Sequence, residues 1–219
     1  MPAQLLYSNS VLSHLSLLTY KNIPTQLLSF KVKILVIGVS IGGPLALSQL
    51  LQGFPRNLRV PIVIVQHMPP VFTTRLAGRL SSQCQIPVHE AKDGDVIKPG
   101  EAWLAPGDYH IILVKEGTQV RIHTIQTPPE NSCRPAVDVL FRSVAKVYLG
   151  GVLGVVLTGM GKDGLHGCAS IRQVGGQVLV QDEASSVVWG MPGIVANAGL
   201  ADQILPLNKL AKEIMRRIN

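Results

Sequence analysis

The chain has 219 residues, of which 47% are hydrophobic and 15% charged. That is enough for one domain with a sizeable core and is unlike a disordered chain. The net charge is +7, but no apolar run approaches the ~20 residues of a membrane-spanning helix, and the basic residues form no run interleaved with aromatics, so neither membrane insertion nor a nucleic-acid interface is supported.

The first 30 residues are rich in Leu, Ser, Asn and Gln and contain no acid. They start without a basic n-region, so a secretory signal is not expected. Residues 11–18 have the pattern of a short amphipathic helix, and the segment is read as a linker or accessory element ahead of a domain over residues 31–219. Lys33-Ile34-Leu35-Val36-Ile37-Gly38 is a short run rich in β-branched residues, as in a buried strand of a parallel sheet. A helix over residues 44–51 follows, with Pro44 in its first turn. A strand over 60–65 and a helix over 72–82 complete a β-α-β-α series, which argues for helices packed on a parallel sheet. Four short strands are then predicted at 88–90, 102–104, 111–114 and 120–123, separated by Gly- and Pro-bearing turns. They suggest an antiparallel insert of hairpins. A helix over 135–149, a buried strand over 151–157, a helix over 165–173, a strand over 177–180 and a last helix over 208–218 close the chain. The fold class is therefore α/β, a doubly wound and mostly parallel sheet flanked by helices, with an antiparallel insert.

Charge is distributed unevenly. No Asp or Glu precedes Glu90, whereas Lys21, Lys31, Lys33, Arg56, Arg59, Arg75 and Arg79 do. This placement suits steering of an acidic partner toward one side of the molecule. Cys84, Cys133 and Cys168 include no CxxC pair. They are read as ordinary partly buried thiols of a cytoplasmic protein, with neither a zinc site nor a disulfide framework.

In open α/β sheets, sites form beyond the carboxyl ends of strands. The first strand ends in Gly38-Val39-Ser40-Ile41-Gly42-Gly43, the second in Gln66-His67-Met68-Pro69, and the strand at 151–157 in Thr158-Gly159-Met160-Gly161-Lys162-Asp163-Gly164. A serine, a histidine and an aspartate thus fall past three strands, which is the set that a serine-nucleophile mechanism needs. Gly-x-Ser-x-Gly places Ser40 on a tight strand-to-helix turn, although such a turn can equally cradle a phosphate. His67 is the candidate general base and Asp163 the group that orients it. The backbone N–H groups of Ile41 and Met160 are candidate oxyanion donors. His110 and His166 are weaker candidates for the site. No His/Asp/Glu group has metal-ligand spacing, and no cofactor motif is present. The chain order Ser, His, Asp differs from the Ser, Asp, His of α/β-hydrolases.

With these stretches, and with Ala105-Pro106-Gly107-Asp108-Tyr109-His110, Arg134-Pro135-Ala136-Val137-Asp138-Val139-Leu140-Phe141 and Ser185-Ser186-Val187-Val188-Trp189-Gly190-Met191-Pro192, the sequence resembles the catalytic domain of chemotaxis protein-glutamate methylesterases. The resemblance runs from about residue 33 to the C-terminus. It implies hydrolysis of glutamyl methyl esters on the cytoplasmic helices of chemoreceptors, yielding glutamate and methanol, with glutamine deamidation in some members. It implies Ser40, His67 and Asp163 as the triad and Met160 as an oxyanion contributor. Two departures stand out. The family usually has Thr after the nucleophile, where this chain has Ile41. No receiver-domain pattern precedes residue 33, so the chain is read as either a catalytic piece or a receiver-free member, and in the latter case as active without phosphorylation. The competing expectation is a non-catalytic or divergent module of the same fold that binds an acidic protein partner. A gap between His67 and Asp163, or a Ser40 buried away from any cleft, would favour it.

Overall fold

A computed structural model describes residues 31–219; the helix expected at 11–18 lies outside them. The chain enters the middle of a seven-stranded sheet at β1 (Ile34–Val39), whose six residues are all buried. Leu35, Ile37 and Val39 face one side of the sheet, and Ile34 and Val36 the other. A strand covered on both faces has no place for polar residues, which is why its sequence is a continuous apolar run.

The turn after β1 leads into helix α1 (Gly43–Gln52), with Pro44 in its first turn and Ala46, Leu47, Leu50 and Leu51 buried on one stripe. Then come β2 (Ile62–Gln66), α2 (Phe72–Gln83), β3 (Val88–Glu90), β4 (Ala102–Leu104), β5 (His110–Glu116) and β6 (Gln119–Ile125). The second half runs α3 (Val137–Tyr148), a 3-10 turn at Leu149–Gly151, β7 (Val152–Val156), α4 (Leu165–Gln173), β8 (Gln177–Gln181), α5 (Met191–Asn197), β9 (Gln203–Leu205) and α6 (Leu207–Ile218).

The sheet order is β3-β4-β2-β1-β7-β8-β9, with every pairing parallel. The chain goes from β1 to β2, then out to the edge at β3, and returns to place β4 between β3 and β2. It then returns to the other side of β1 for β7, β8 and β9. The switch point of this double winding lies between β1 and β7, where a crevice is expected at the strand ends. Helices α1, α2 and α6 pack on one face, and α3, α4, α5 and the β5–β6 hairpin on the other.

The expected antiparallel insert is smaller than the sequence pattern suggested. Only β5 and β6 form it, as one hairpin in which Glu116 pairs with Gln119. The strands at 88–90 and 102–104 join the parallel sheet instead, β4 beside β2 and β3 beside β4. The reason is burial. Ala102, Trp103 and Leu104 are all buried, and they cover the edge that β2 would otherwise leave open to solvent. Three residues are too few to reveal strand direction by periodicity. Helix α5 and strand β9 were not expected. The helix has seven residues and contains Pro192 and Gly193, and the strand has three, partly exposed, so both fall below the length at which a pattern emerges.

Candidate active site

The ends of β2, β1 and β7 are adjacent in the sheet, so the loops carrying His67, Ser40 and Asp163 meet at the switch point. Ser40 sits on the turn between β1 and α1. Its N–H donates to Thr158 O at 3.0 Å and its carbonyl accepts from Gly43 N–H at 2.8 Å. Gly42 takes φ +80° at the helix N-cap, a left-handed conformation that a side chain would resist. Gly159 presses on the nucleophile from the β7 side: a Cβ there would lie 2.7 Å from Ser40 Cβ. Ser40 is half-buried and Ile41 exposed.

His67 follows β2, and its N–H continues the ladder by donating to Val39 O at 3.1 Å. Its Nε2 meets Asp163 Oδ2 at 2.7 Å. Its Nδ1 lies 3.6 Å from Cys133 Sγ. No hydrogen bond joins Ser40 Oγ to His67 among the described residues, which is common where no substrate has closed the geometry. Both ring nitrogens are therefore accounted for. Asp163 fixes Nε2, and Nδ1 is the nitrogen left to take a proton.

Asp163 is buried and accepts five donors. Oδ2 takes His67 Nε2 and the Val137 N–H at 2.6 Å. Oδ1 takes the N–H groups of Asp138 and Gly164 and the Asn131 amide, each at 3.0 Å. The amides of Val137 and Asp138 open helix α3, so the carboxylate sits on a helix N-terminus. Burial works against its charge. The His67 hydrogen bond and the Asp138 and Val137 backbone donors outweigh burial and hold the carboxyl below the usual carboxylate range. Burial likewise disfavours charge on His67, yet Asp163 and the Cys133 sulfur overcome it and raise its pKa from 6.5 to about 9.

The backbone N–H groups of Ile41 and Met160, the expected oxyanion donors, take no acceptor among the described residues. Both residues expose their side chains, Met160 by 67%. At Ile41, where the chain departs from the family, the backbone carbonyl accepts from the Thr158 hydroxyl at 2.9 Å, so the turn is tied to the residues after β7 through its backbone. Thr158 is itself set by its N–H donating to the buried Gln181 Oε1 at 2.9 Å.

His110 is not at the reacting end. It is buried, accepts the Ala136 N–H through Nδ1 at 3.0 Å, and supports the start of α3. His166 stands in the first turn of α4. All three cysteines are free thiols, Cys84 and Cys133 partly buried as expected and Cys168 fully buried, and Cys133 lies beside the His67 ring. It reaches that place because Glu130 and Cys133 exchange two backbone hydrogen bonds around Asn131 and Ser132, both with left-handed φ. Arg142 anchors the turn through both Glu130 oxygens at 2.6 Å. Asn131 and Cys133 carried no recognisable spacing, and only the turn-forming character of Asn-Ser hinted at them.

His67, Cys133 and Asp163 hold ligand atoms within 4.8 Å of one another, as a metal site would. Their orientation suits proton transfer better. The imidazole presents opposite nitrogens to the other two, and both Asp163 oxygens already hold N–H donors. A cavity of about 570 Å³ lined by His89, Glu101, Trp103 and Gln119 contains none of the three.

A doubly wound parallel sheet with serine, histidine and aspartate at neighbouring strand ends defines an α/β domain whose switch point holds the residue set that a serine hydrolase needs. The family model described as CheB methylesterase matches residues 35–214, and the chain belongs to that family. It is 82% identical over 194 residues to a protein-glutamate methylesterase/protein-glutamine glutaminase of Trichodesmium erythraeum (strain IMS101), covering 89% of this chain and 55% of that protein. A protein of the same name from Nocardioides sp. (strain ATCC BAA-499 / JS614) is 53% identical, with 85% of this chain and 50% of that protein covered. The crystal structure of the Thermotoga maritima CheB methylesterase catalytic domain superposes with a TM-score of 0.83 at 41% identity, covering 85% of this chain and 99% of that one. The chain spans about half the length of the curated relatives it matches.

Proposed function

We propose that residues 31–219 form a catalytic unit that hydrolyses glutamyl methyl esters on the cytoplasmic helices of chemoreceptors, in the cytoplasm, using Ser40, His67 and Asp163. The observation that carries this reading is the 2.7 Å contact from His67 Nε2 to Asp163, which leaves Nδ1 as the ring nitrogen not held by the carboxylate. Ser40 Oγ attacks the ester carbonyl while Nδ1 takes its proton. Asp163 keeps the second proton on Nε2 and stabilises the imidazolium. The N–H groups of Ile41 and Met160 receive the developing oxyanion. The imidazolium then protonates the departing methoxide to give methanol, and water attacks the acyl-enzyme by the same route to release glutamate. A glutamine side chain in place of the ester would release ammonia instead, in keeping with the double name of the relatives.

A helical, acidic protein substrate suits the rim of the cleft. Ile41, Leu45, Phe72, Met160 and Val187 are exposed apolar side chains on the segments that follow β1, β2, β7 and β8. Arg75 and Arg79 flank a depression of about 250 Å³ formed with Met68 and Phe72. An apolar strip beside arginines fits an amphipathic helix with acidic flanks.

The test is methanol release from a methylated chemoreceptor cytoplasmic fragment. Wild type releases methanol, and Ser40→Ala lowers the rate by several orders of magnitude. Undiminished turnover in Ser40→Ala overturns the nucleophile assignment, and a folded wild type inert on every methylated receptor fragment overturns the substrate assignment.

A further inference from the structure

Gln66 is the last residue of β2. It is buried to 2% exposure, although it carries a primary amide. Its Nε2 donates to two backbone carbonyls, that of Ser40 at 2.9 Å and that of its neighbour His67 at 3.0 Å. The remaining oxygen, Oε1, is buried without a hydrogen-bond partner among the described residues. It lies against the Cα of Gly43, so close that a Cβ at that position would overlap it.

A buried acceptor without a partner destabilises a fold. An unbranched apolar side chain of the same length would fill the space without leaving it. The amide is therefore poorly explained by stability. It is well explained by its two donors. Only a primary amide offers two N–H groups at a fixed angle on one uncharged nitrogen. A hydroxyl has one, and an ammonium or guanidinium would bring a buried charge. That nitrogen sets the distance between the carbonyl of the nucleophile and the carbonyl of the base.

We propose that Gln66 is a positioning residue, its amide clamping the Ser40 turn to His67 so that the two side chains meet in reacting geometry. The clamp crosses from β2 to the turn after β1, where the backbone ladder alone has only the His67 N–H to Val39 O bond left to align them. Gly43 is part of the same device, because it leaves room for Oε1 beside the first turn of α1. The inference rests on the serine-nucleophile reading above, and its test is chosen to separate the two.

The experiment measures the rate at which a fluorophosphonate labels Ser40, which needs no natural substrate, in wild type, Gln66→Met and Gln66→Glu. A displacement of about 1 Å in a reacting group lowers rates on the order of 100-fold. Gln66→Met is expected to label 10- to 100-fold more slowly, with a thermal melt as cooperative as that of wild type. Gln66→Glu, whose carboxyl stays protonated between two carbonyls and supplies one donor, is expected to fall between them. On methylated receptor fragment, kcat falls by the same factors with KM within about twofold. Equal labelling of wild type and Gln66→Met overturns the assignment, as does loss of the cooperative melt in both variants, which would make Gln66 structural. A folded wild type whose Ser40 does not label overturns the hydrolase reading itself.

Discussion

Replacing Asp163 by Asn changes one atom and tests the whole site. The five donors around Asp163 divide unequally, three on Oδ1 and two on Oδ2. An amide placed there keeps its oxygen on the three-donor side, because reversing it would aim NH2 at three N–H groups. Its NH2 therefore faces the Val137 N–H and His67 Nε2. Nε2 must now accept, so the imidazole proton moves to Nδ1, the nitrogen that has to take the proton of Ser40. The variant holds the base in the wrong tautomer with its geometry nearly intact. Such a substitution lowers kcat by about 10⁴, or about 5 kcal/mol of transition-state stabilisation. The Val137 N–H loses its acceptor and meets a donor, which costs about 1–3 kcal/mol of folding stability. The assays are single-turnover methanol release for kcat and urea denaturation for stability. An Asp163→Asn protein that keeps a tenth or more of wild-type kcat would refute the assignment of Nδ1 as proton acceptor. A loss of activity that simply follows unfolding at the assay temperature would refute the tautomer argument.

On the proposed mechanism His67 must be neutral to act as the base, and its pKa is raised to about 9. At pH 7 roughly one imidazole in a hundred is in that form, so kcat/KM should climb about tenfold per pH unit up to about pH 9 and then level. A profile already flat between pH 7 and 9 would contradict the raised value. Cys133→Ala removes the sulfur that helps raise it, so the rising limb should move to lower pH and the rate at pH 7 should increase; an unmoved limb would separate Cys133 from the base. Gly159→Ala places a methyl 2.5 Å from Met191 Sδ and 2.7 Å from Ser40 Cβ. Overpacking of this kind costs about 1–3 kcal/mol, and displacement of the nucleophile should lower kcat on the order of 100-fold. Calorimetry and methanol release check both, and a variant with wild-type kcat would show that the 158–164 loop can yield without moving Ser40.

Much of this protein is legible in one dimension, for identifiable reasons. Strands β1, β2, β7 and β8 are buried on both faces, so their interiors are apolar and polar residues stand only at their ends, Gln66 in β2 and Gln177 and Gln181 in β8. Because the sheet is parallel, the polar residues just past its strands share one edge, and the adjacency of β2, β1 and β7 brings three of them together. That made Ser40, His67 and Asp163 readable as a group before any coordinate was known.

Tertiary structure alone decided what each atom of that group faces. Sequence spacing carries no information about which imidazole nitrogen Asp163 holds, because the carboxylate is oriented by donors from the 131–138 segment and Gly164, and the ring turns Nε2 toward it. Cys133 reached the base, and Asn131 the carboxylate, through a tight turn anchored by Arg142. The direction of β3 and β4 was decided by the open edge of β2, not by three residues of local pattern. Gln66 stood in plain view beside His67 in the sequence. Its amide took on meaning only when the sheet brought the Ser40 carbonyl, 26 positions away, within reach of the same nitrogen. A linear sequence states which groups are available at the strand ends, while hydrogen-bond direction and close approach exist only once the strands lie side by side.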